Sequence, residues 1–458
     1  MLDIAYVLLA LALLMLVAYR GWSVILFAPL CALLAVALSL GPEQVLPFYS
    51  HVFMEKLVGF LQLYFPVFLM GAVFGKLIEL SGSASAISQA MVRLVGARRA
   101  MLAIVTACAL LTYGGVSLFV VAFAVYPFAA TLFKQARIPK RLIPGTIALG
   151  AFTFTMDALP GSPQIQNVIP TTFFGTTLFA APTLGVLGAL FVGLLGMAYL
   201  EWQRRRAIAR GEDYGEGHRN EPELDSDLNL PHPLQALLPL VTVAAVNRLL
   251  NLKAAYPGTL DVAGHEVEVA KVAGIWSIEL ALGAGILVTL ALGYRRIGER
   301  LRKGLELAVS GSLLASLNTA SEYGFGGVIA ALPGFATVKA VIGSAFSHPL
   351  VNEAVSVNVL AGITGSASGG MSIALAAMGQ QYLEAARHFG ISPEVLHRVA
   401  SMASGGMDTL PHNGAVITLL VITGLTHRES YKDIFALTLI KTLSVFFVIA
   451  VYCLTGWV

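Results

Sequence analysis

Two carboxyl groups stand where a chain this apolar can least accommodate them. Asp157 lies in "MDALPGSP", residues 156 to 163, and Asp408 in the near copy "MDTLPHNG", residues 407 to 414. A carboxylate at bilayer depth costs several kcal/mol or more, so it is neutralised, paired or turned toward water. A group held in that way can carry a proton. Each aspartate is followed by helix breakers, Pro160, Gly161 and Pro163 in the first copy and Pro411 with Gly414 in the second. Interrupted backbone is tolerated in a membrane only where protein or an aqueous cavity surrounds it. The half-helices flanking a break present N–H groups and partial positive charge at their N-termini, which suit an anion, and bare carbonyls at their C-termini, which suit a cation or a proton donor. The chemistry implied is the gripping of a charged solute inside a bilayer.

Further residues extend this constellation. Glu322, in "LNTASEYGFGG", is a lone acid among Asn318, Thr319 and Ser321 and has no acidic counterpart in the first half, which makes it the asymmetric candidate for carrying a proton beside Asp157 and Asp408. His412 and Asn413 replace Gly161 and Ser162 of the first copy and bring an imidazole and an amide to the second break. The hydroxyls of Thr112, Ser117, Thr155, Ser366, Ser368, Ser372 and Ser404 are donors for an oxygen-rich ligand. Singly, each packs a helix or bonds its own turn, and their clustering at the breaks is the informative part. The 3 cysteines, Cys31, Cys108 and Cys453, have no metal-ligand or paired spacing, and neither metal nor cofactor is expected.

The elements that must position these residues follow from composition. The 458 residues are 57% hydrophobic and 12% charged, against about a quarter charged in soluble domains. Apolar stretches such as 4–18, 24–40 and 435–454 approach or reach the roughly 20 residues needed to cross a bilayer. The fold class expected is an all-α polytopic membrane protein. Asp3, and the lack of a basic residue before Arg20, argue against a cleaved leader. The net charge of +3 sits in short loops, where it reports orientation and not nucleic-acid binding. Arg20, Arg93 with Arg98 and Arg99, Lys134 to Arg141, Arg204 to Arg210 and Arg295 to Lys303 read as cytoplasmic, and 253–271 as an outer loop.

Residues 100–133 break a simple count of spans, because both flanks are basic. As one helix the interval would run about 50 Å, well beyond the bilayer core. A re-entrant hairpin turning at "TYGGVS", 112 to 117, satisfies both ends. A second hairpin is expected at 354–383, interrupted by "TGSASGGMS", whose Gly369, Gly370 and Ser372 match Gly114, Gly115 and Ser117. Each hairpin precedes a broken helix, at 142–170 and at 395–425. Motifs recurring in the same order mark an internal duplication. The expected organisation is a first repeat over 1–200, a cytoplasmic linker over 201–232 and a second repeat over 233–458. Each repeat has five spans and a hairpin, about ten full spans in all, and the two have opposite orientations. Arg387, His388, His397 and Arg398 then fall outside, against the charge rule.

"GGVS" with "MDALPGSP", and "SGGMS" with "SGGMDTLPHNGAVITLL", resemble the gluconate permease family of proton-coupled carboxylate symporters, within the ion transporter superfamily. The likeness covers nearly the whole chain and is most specific at 405–414. It implies an inverted-repeat secondary transporter in the inner (plasma) membrane, an elevator cycle, a homodimer, and a small hydroxylated organic acid of gluconate or 3-hydroxybutyrate type as solute. By the same analogy the tips at Gly114-Gly115 and Gly369-Gly370, with the breaks at Asp157 and Asp408, hold the substrate. The Ser-Asn-Thr tripeptide of the sodium-coupled dicarboxylate carriers is absent from both hairpins, which sets a sodium-coupled citrate carrier behind a proton symporter. An intramembrane aspartyl protease would also use two membrane aspartates, but its Gly-x-Gly-Asp is missing at both.

Overall fold

Long apolar runs leave the backbone no partner but itself, and the chain is helical almost throughout. The computed structural model describes residues 2–20, 22–96, 99–221, 230–250, 258–335, 337, 346, 348–411 and 413–458. Among these, Pro42–Leu80, Pro182–Ala209, Val272–Ile297 and His427–Thr455 are long and apolar enough to cross a membrane, with shorter apolar helices between them. The helix Val24–Leu40 shows which solvent it is built for. It buries Ala28, Ala32 and Ala35 and exposes Leu26, Leu30, Leu34 and Leu38. Small residues inward and leucines outward reverse the pattern of a water-soluble helix, as expected where lipid surrounds the fold and close backbone approach holds it together.

The helices pack in two matching sets. In an outer frame, Leu2–Tyr19 packs on Val24–Leu40 and Pro233–Leu249 packs on Val269–Ile297. Each pair also leans across: Val24–Leu40 contacts Leu301–Ala331, and Val269–Ile297 contacts Met54–Leu80. Met54–Leu80 and Leu301–Ala331 run against each other in the most extensive helix–helix contact among the described residues.

Beside this frame lie two helix pairs and two interrupted helices. Ala100–Tyr113 and Leu118–Gln135 form one pair, with Gly115 at φ +93° in its turn. Pro349–Thr364 and Ala367–Phe389 form the other, with Gly365 at φ +65°. The first interrupted helix runs Ile143–Ala151, a single turn Phe154–Asp157, non-helical backbone, and Ile165–Phe174. The second runs Pro393–Ser404, non-helical backbone, and Gly414–Thr423. Their packing is again reciprocal. Ile165–Phe174 lies on Ala367–Phe389 of the second pair, and Gly414–Thr423 lies on Leu118–Gln135 of the first.

Three expectations are corrected. Gly369 and Gly370 are not at a turn; they lie in the first turn of Ala367–Phe389, because the chain reverses at Gly365 and Ser366 caps the new helix through Gly369 N at 3.0 Å. The structural match of Ser117 is therefore Ser366, each being the N-cap residue of its second arm. His397 and Arg398 are not loop residues but are fully buried within Pro393–Ser404, so they do not report the side of the membrane. Finally, Pro182–Ala209 continues past residue 200 into the expected linker, supported by Glu201 pairing with Arg204 at 2.6 Å and Arg205 at 3.0 Å one turn on. In the expected outer loop the described residues form a two-stranded ribbon, β1 Thr259–Val262 with β2 His265–Glu268, in which Thr259 pairs Glu268.

Candidate functional site

A cavity of about 1020 Å³ opens between the frame and the interior helices. Four helices begin on its wall: Leu118–Gln135, Ile165–Phe174, Ala367–Phe389 and Gly414–Thr423. Each beginning follows from a local signal. Gly115 and Gly365 reverse the chain and release the second arms, while Pro163 and Pro411 lie in the non-helical backbone just before the N-caps Gln164 and Asn413, where a missing N–H breaks no helical bond. Helix N-termini carry unbonded N–H groups and partial positive charge, so their convergence makes an anion site with few cationic side chains. Asn413 and Ser366 cap two of the four through their own side chains, whereas Ser117 and Gln164 make no side-chain cap. The first-turn N–H groups beyond Ser117 and Gln164 are thus the ones left for a ligand.

Amides tie the breaks to the turns in the same manner on both sides. Gln164 Nε2 donates to the Thr112 carbonyl at 2.7 Å, and Asn413 Nδ2 donates to the Gly365 carbonyl at 2.6 Å. Asn413 Oδ1 also accepts from Ala415 N at 2.6 Å and Val416 N at 3.2 Å. Asn413 therefore lines the cavity as a clamp and cap, with its polar atoms already engaged.

The acidic residues divide by environment. Asp408 reaches the cavity and is paired with Lys441, whose Nζ lies 2.6 Å from Oδ1 and 3.1 Å from the Phe152 carbonyl. Lys441 is 2% exposed. Asp157 is buried behind the wall, packed against Gly405, where any side chain would fall on its carboxylate, and lies within electrostatic range of Lys441 and Asp408. Lys441 thus bonds the aspartate of the second break and lies near that of the first. Glu322 also lines the cavity, 3% exposed, with its carboxylate against Gly369 and its Oε2 without a hydrogen-bond partner among the described residues. The frame residue that faces Ser117 in the first half is Gly75, so the carboxyl is present on one side only.

Of the other expected residues, Gly115, Ser117, Ser368 and Pro163 face the cavity. Ser368 bonds Thr319 at 3.2 Å beside Glu322. Thr155 and Ser404 spend their hydroxyls on the carbonyls of Gly150 and Ser401, both at 2.7 Å, and do not reach the cavity. Thr112 and Ser372 are fully buried, and their hydroxyls have no partner among the described residues. Gly114, Gly370, Pro160 and Pro411 are outside the wall; Gly370 instead lets the two arms of its pair touch at Ala361. His412 lies outside the described residues.

Sequence reasoning passed over the cations. Lys441 was hidden in an apolar stretch, although a lone lysine in a span is itself a signal. Arg398 is fully buried and holds the first break: it donates to the Ala180 carbonyl at 2.8 and 3.2 Å, to the Asp157 carbonyl at 3.1 Å and to Asn167 Oδ1 at 3.1 Å. Ser401 adds a bond to the Asp157 carbonyl at 2.8 Å, and His397 bonds Thr176 at 2.6 Å and Asn167 at 3.1 Å. Lys76, paired with Glu79 at 2.6 Å, stands on the cavity wall near its exposed end.

Helices of membrane-spanning length around a cavity at two broken helices define a multi-pass membrane protein. Comparison with known proteins gives the particular group. Residues 2–284 match the profile of the GntP family permeases. The chain is 58% identical over 472 aligned residues, taking in the whole of both proteins, to the uncharacterized transporter YxjC of Bacillus subtilis (strain 168). It belongs to the GntP permease family. Among solved structures it resembles the Alcanivorax borkumensis YdaH transporter, with a TM-score of 0.58 and 16% identity over 90% of each chain. It also resembles Neisseria gonorrhoeae MtrF, with a TM-score of 0.56 and 15% identity over 89% of this chain and 83% of that one. These two likenesses are of fold.

Proposed function

We propose that this permease moves a small hydroxylated organic acid anion, of gluconate or 3-hydroxybutyrate type, together with a proton across the inner membrane. The observation that carries the reading is the convergence of four helix N-termini on one cavity, two of them without a side-chain cap. A carboxylate accepts from such N–H groups, and the hydroxyls of Ser117 and Ser368 match an oxygen-rich solute. A neutral Glu322 is the favoured proton carrier: it is buried, half unpartnered, open to the cavity and absent from the other half. Asp408, paired with Lys441, is held as an ion pair and serves the site as structure.

The reciprocal packing supports an inverted duplication, with the two helix pairs as re-entrant hairpins. The exposed end of the cavity is lined by Trp22 and Leu307, close in sequence to Arg20, Arg302 and Lys303. Under the charge rule that end is cytoplasmic, so the conformation described is open inward. The frame of residues 2–80 and 233–331 serves as scaffold, and the hairpins and broken helices as the moving unit of an elevator cycle in a homodimer.

The deciding experiment is uptake by purified protein in liposomes of gluconate, 3-hydroxybutyrate, lactate and citrate, each under a proton or a sodium gradient. Proton-driven accumulation of a hydroxylated monocarboxylate is expected. Accumulation driven by sodium alone, or equilibration without accumulation, refutes the coupling; transport of none of the acids refutes the substrate class.

A further inference from the structure

We propose that the Lys441 ammonium occupies the position of a coupling cation where the two breaks meet, and that removing it opens a site for a monovalent cation such as sodium. The inference deepens the proton-coupled reading above and rests on it.

The surroundings of Nζ are those of a bound cation. One neighbour is Asp408 Oδ1 at 2.6 Å, from the second break, and the other is the Phe152 carbonyl at 3.1 Å, from the first. Phe152 is the C-cap of Ile143–Ala151, so its carbonyl belongs to the negative end of a half-helix. A carboxylate oxygen and a half-helix carbonyl are the hard oxygen donors with which interrupted helices coordinate sodium. The charged groups near this position from the packed elements are Asp408, bonded to the ammonium, and Asp157, whose backbone carbonyl accepts from Arg398 at 3.1 Å. The ammonium offsets the Asp408 carboxylate directly.

Lys441 also has no route to water along its own helix: it is 2% exposed, and the residues one turn to either side that face inward, Leu437, Thr438, Ser444 and Val445, are buried. The position itself is reachable from the other direction, because Phe152 and Asp408 both line the cavity. An ion entering through the cavity could therefore reach the vacated place.

A cation fastened to the chain cannot leave with the solute. It supplies the charge that a bound sodium ion would contribute to Asp408 and closes the position to ions in solution. The exchangeable positive charge of each cycle must then be carried elsewhere, which assigns it to the proton on Glu322.

The test is thermal melting, without substrate, of wild type, Lys441→Ala and the double variant Asp408→Asn/Lys441→Ala in sodium, ammonium and choline chlorides at equal ionic strength. Wild type should melt at one temperature in all three salts. Lys441→Ala should rise by roughly 2–4 °C in saturating sodium or ammonium relative to choline. The double variant should be indifferent. In liposomes, Lys441→Ala uptake should become dependent on the added cation. Equal melting of Lys441→Ala in all salts, an equal response of the double variant, or failure of Lys441→Ala to fold in sodium and ammonium as in choline each overturns the proposal. Melting needs no solute, so a wild type that carries no organic acid would refute the substrate reading while leaving the cation test readable.

Discussion

Replacing Gly369 by alanine separates the packing of Glu322 from its part in coupling. A Cβ at this position would fall on the Glu322 carboxylate and on nothing else as close. The obstructing atoms are the end of a flexible side chain, so the acid can turn aside into the adjoining cavity while the helices stay in place. A displaced rotamer costs about 0.5–1.5 kcal/mol. Alanine in the first turn of Ala367–Phe389 returns at most about 1 kcal/mol of helix propensity. The two nearly cancel, and the net change in stability should stay within about 1 kcal/mol. The proton site, however, has moved from its buried seat against Gly369 further into the cavity. Melting in detergent should therefore be almost unchanged, while the pH at which proton-driven uptake is half-maximal moves by about one unit, the equivalent of 1.36 kcal/mol between protonation states. An unchanged profile in a stable variant refutes Glu322 as the carrier. A loss of several kcal/mol shows instead that the acid is locked by its neighbours.

Arg398→Met should destabilise by roughly 3–5 kcal/mol in chemical or thermal unfolding, because it strands the Ala180 carbonyl and removes a cation from beside Asp157; a loss under about 1 kcal/mol contradicts this. Gln164→Ala and Asn413→Ala each free a hairpin turn, and Asn413→Ala also uncaps a helix, so it should be the costlier, by about 1 kcal/mol in melting. Cysteines at Ser117 and Ser368, both on the cavity wall, should react with a polar maleimide from the basic side of the protein in this conformation, and saturating solute should protect both. In the linker, Glu221 is pushed up by burial but is held below the usual carboxylate range by Lys140, at 2.8 Å, and Tyr214. A depressed carboxylate stabilises above its unfolded value and loses that contribution as pH falls through the folded one. Limited proteolysis of 212–221 should thus be slow near neutrality and quicken below about pH 4, and Lys140→Ala should be cut readily at neutral pH.

Much of the interior was legible because breakers, glycines and carboxyl groups are expensive in lipid and stand out against it. The two interrupted helices, the first turn at Gly115 and the cavity-facing Asp408 and Glu322 follow from residue type and spacing alone. Matching glycine pairs misled where they serve different ends: Gly115 reverses the chain, whereas Gly369 and Gly370 admit a carboxylate and a neighbouring backbone. Gln164, Arg398 and Lys441 were not legible as site residues, because their partners lie on other helices and only packing brings them together. The charge rule likewise reads an arginine as a loop marker and has no means of recognising one sealed within protein.

The bonds from Arg398 and Ser401 to the Asp157 carbonyl join residues 241 and 244 positions apart. A ribosome adding about 5–20 residues per second needs on the order of 12–50 s to pass from one to the other. Through that interval the Asp157 carbonyl of the first break sits in the membrane without these partners, sheltered only by water or by the insertion machinery. The amino-terminal half is therefore an unfinished object until its twin emerges, and severing the gene at the linker should yield a first fragment that is degraded unless the second is made alongside it.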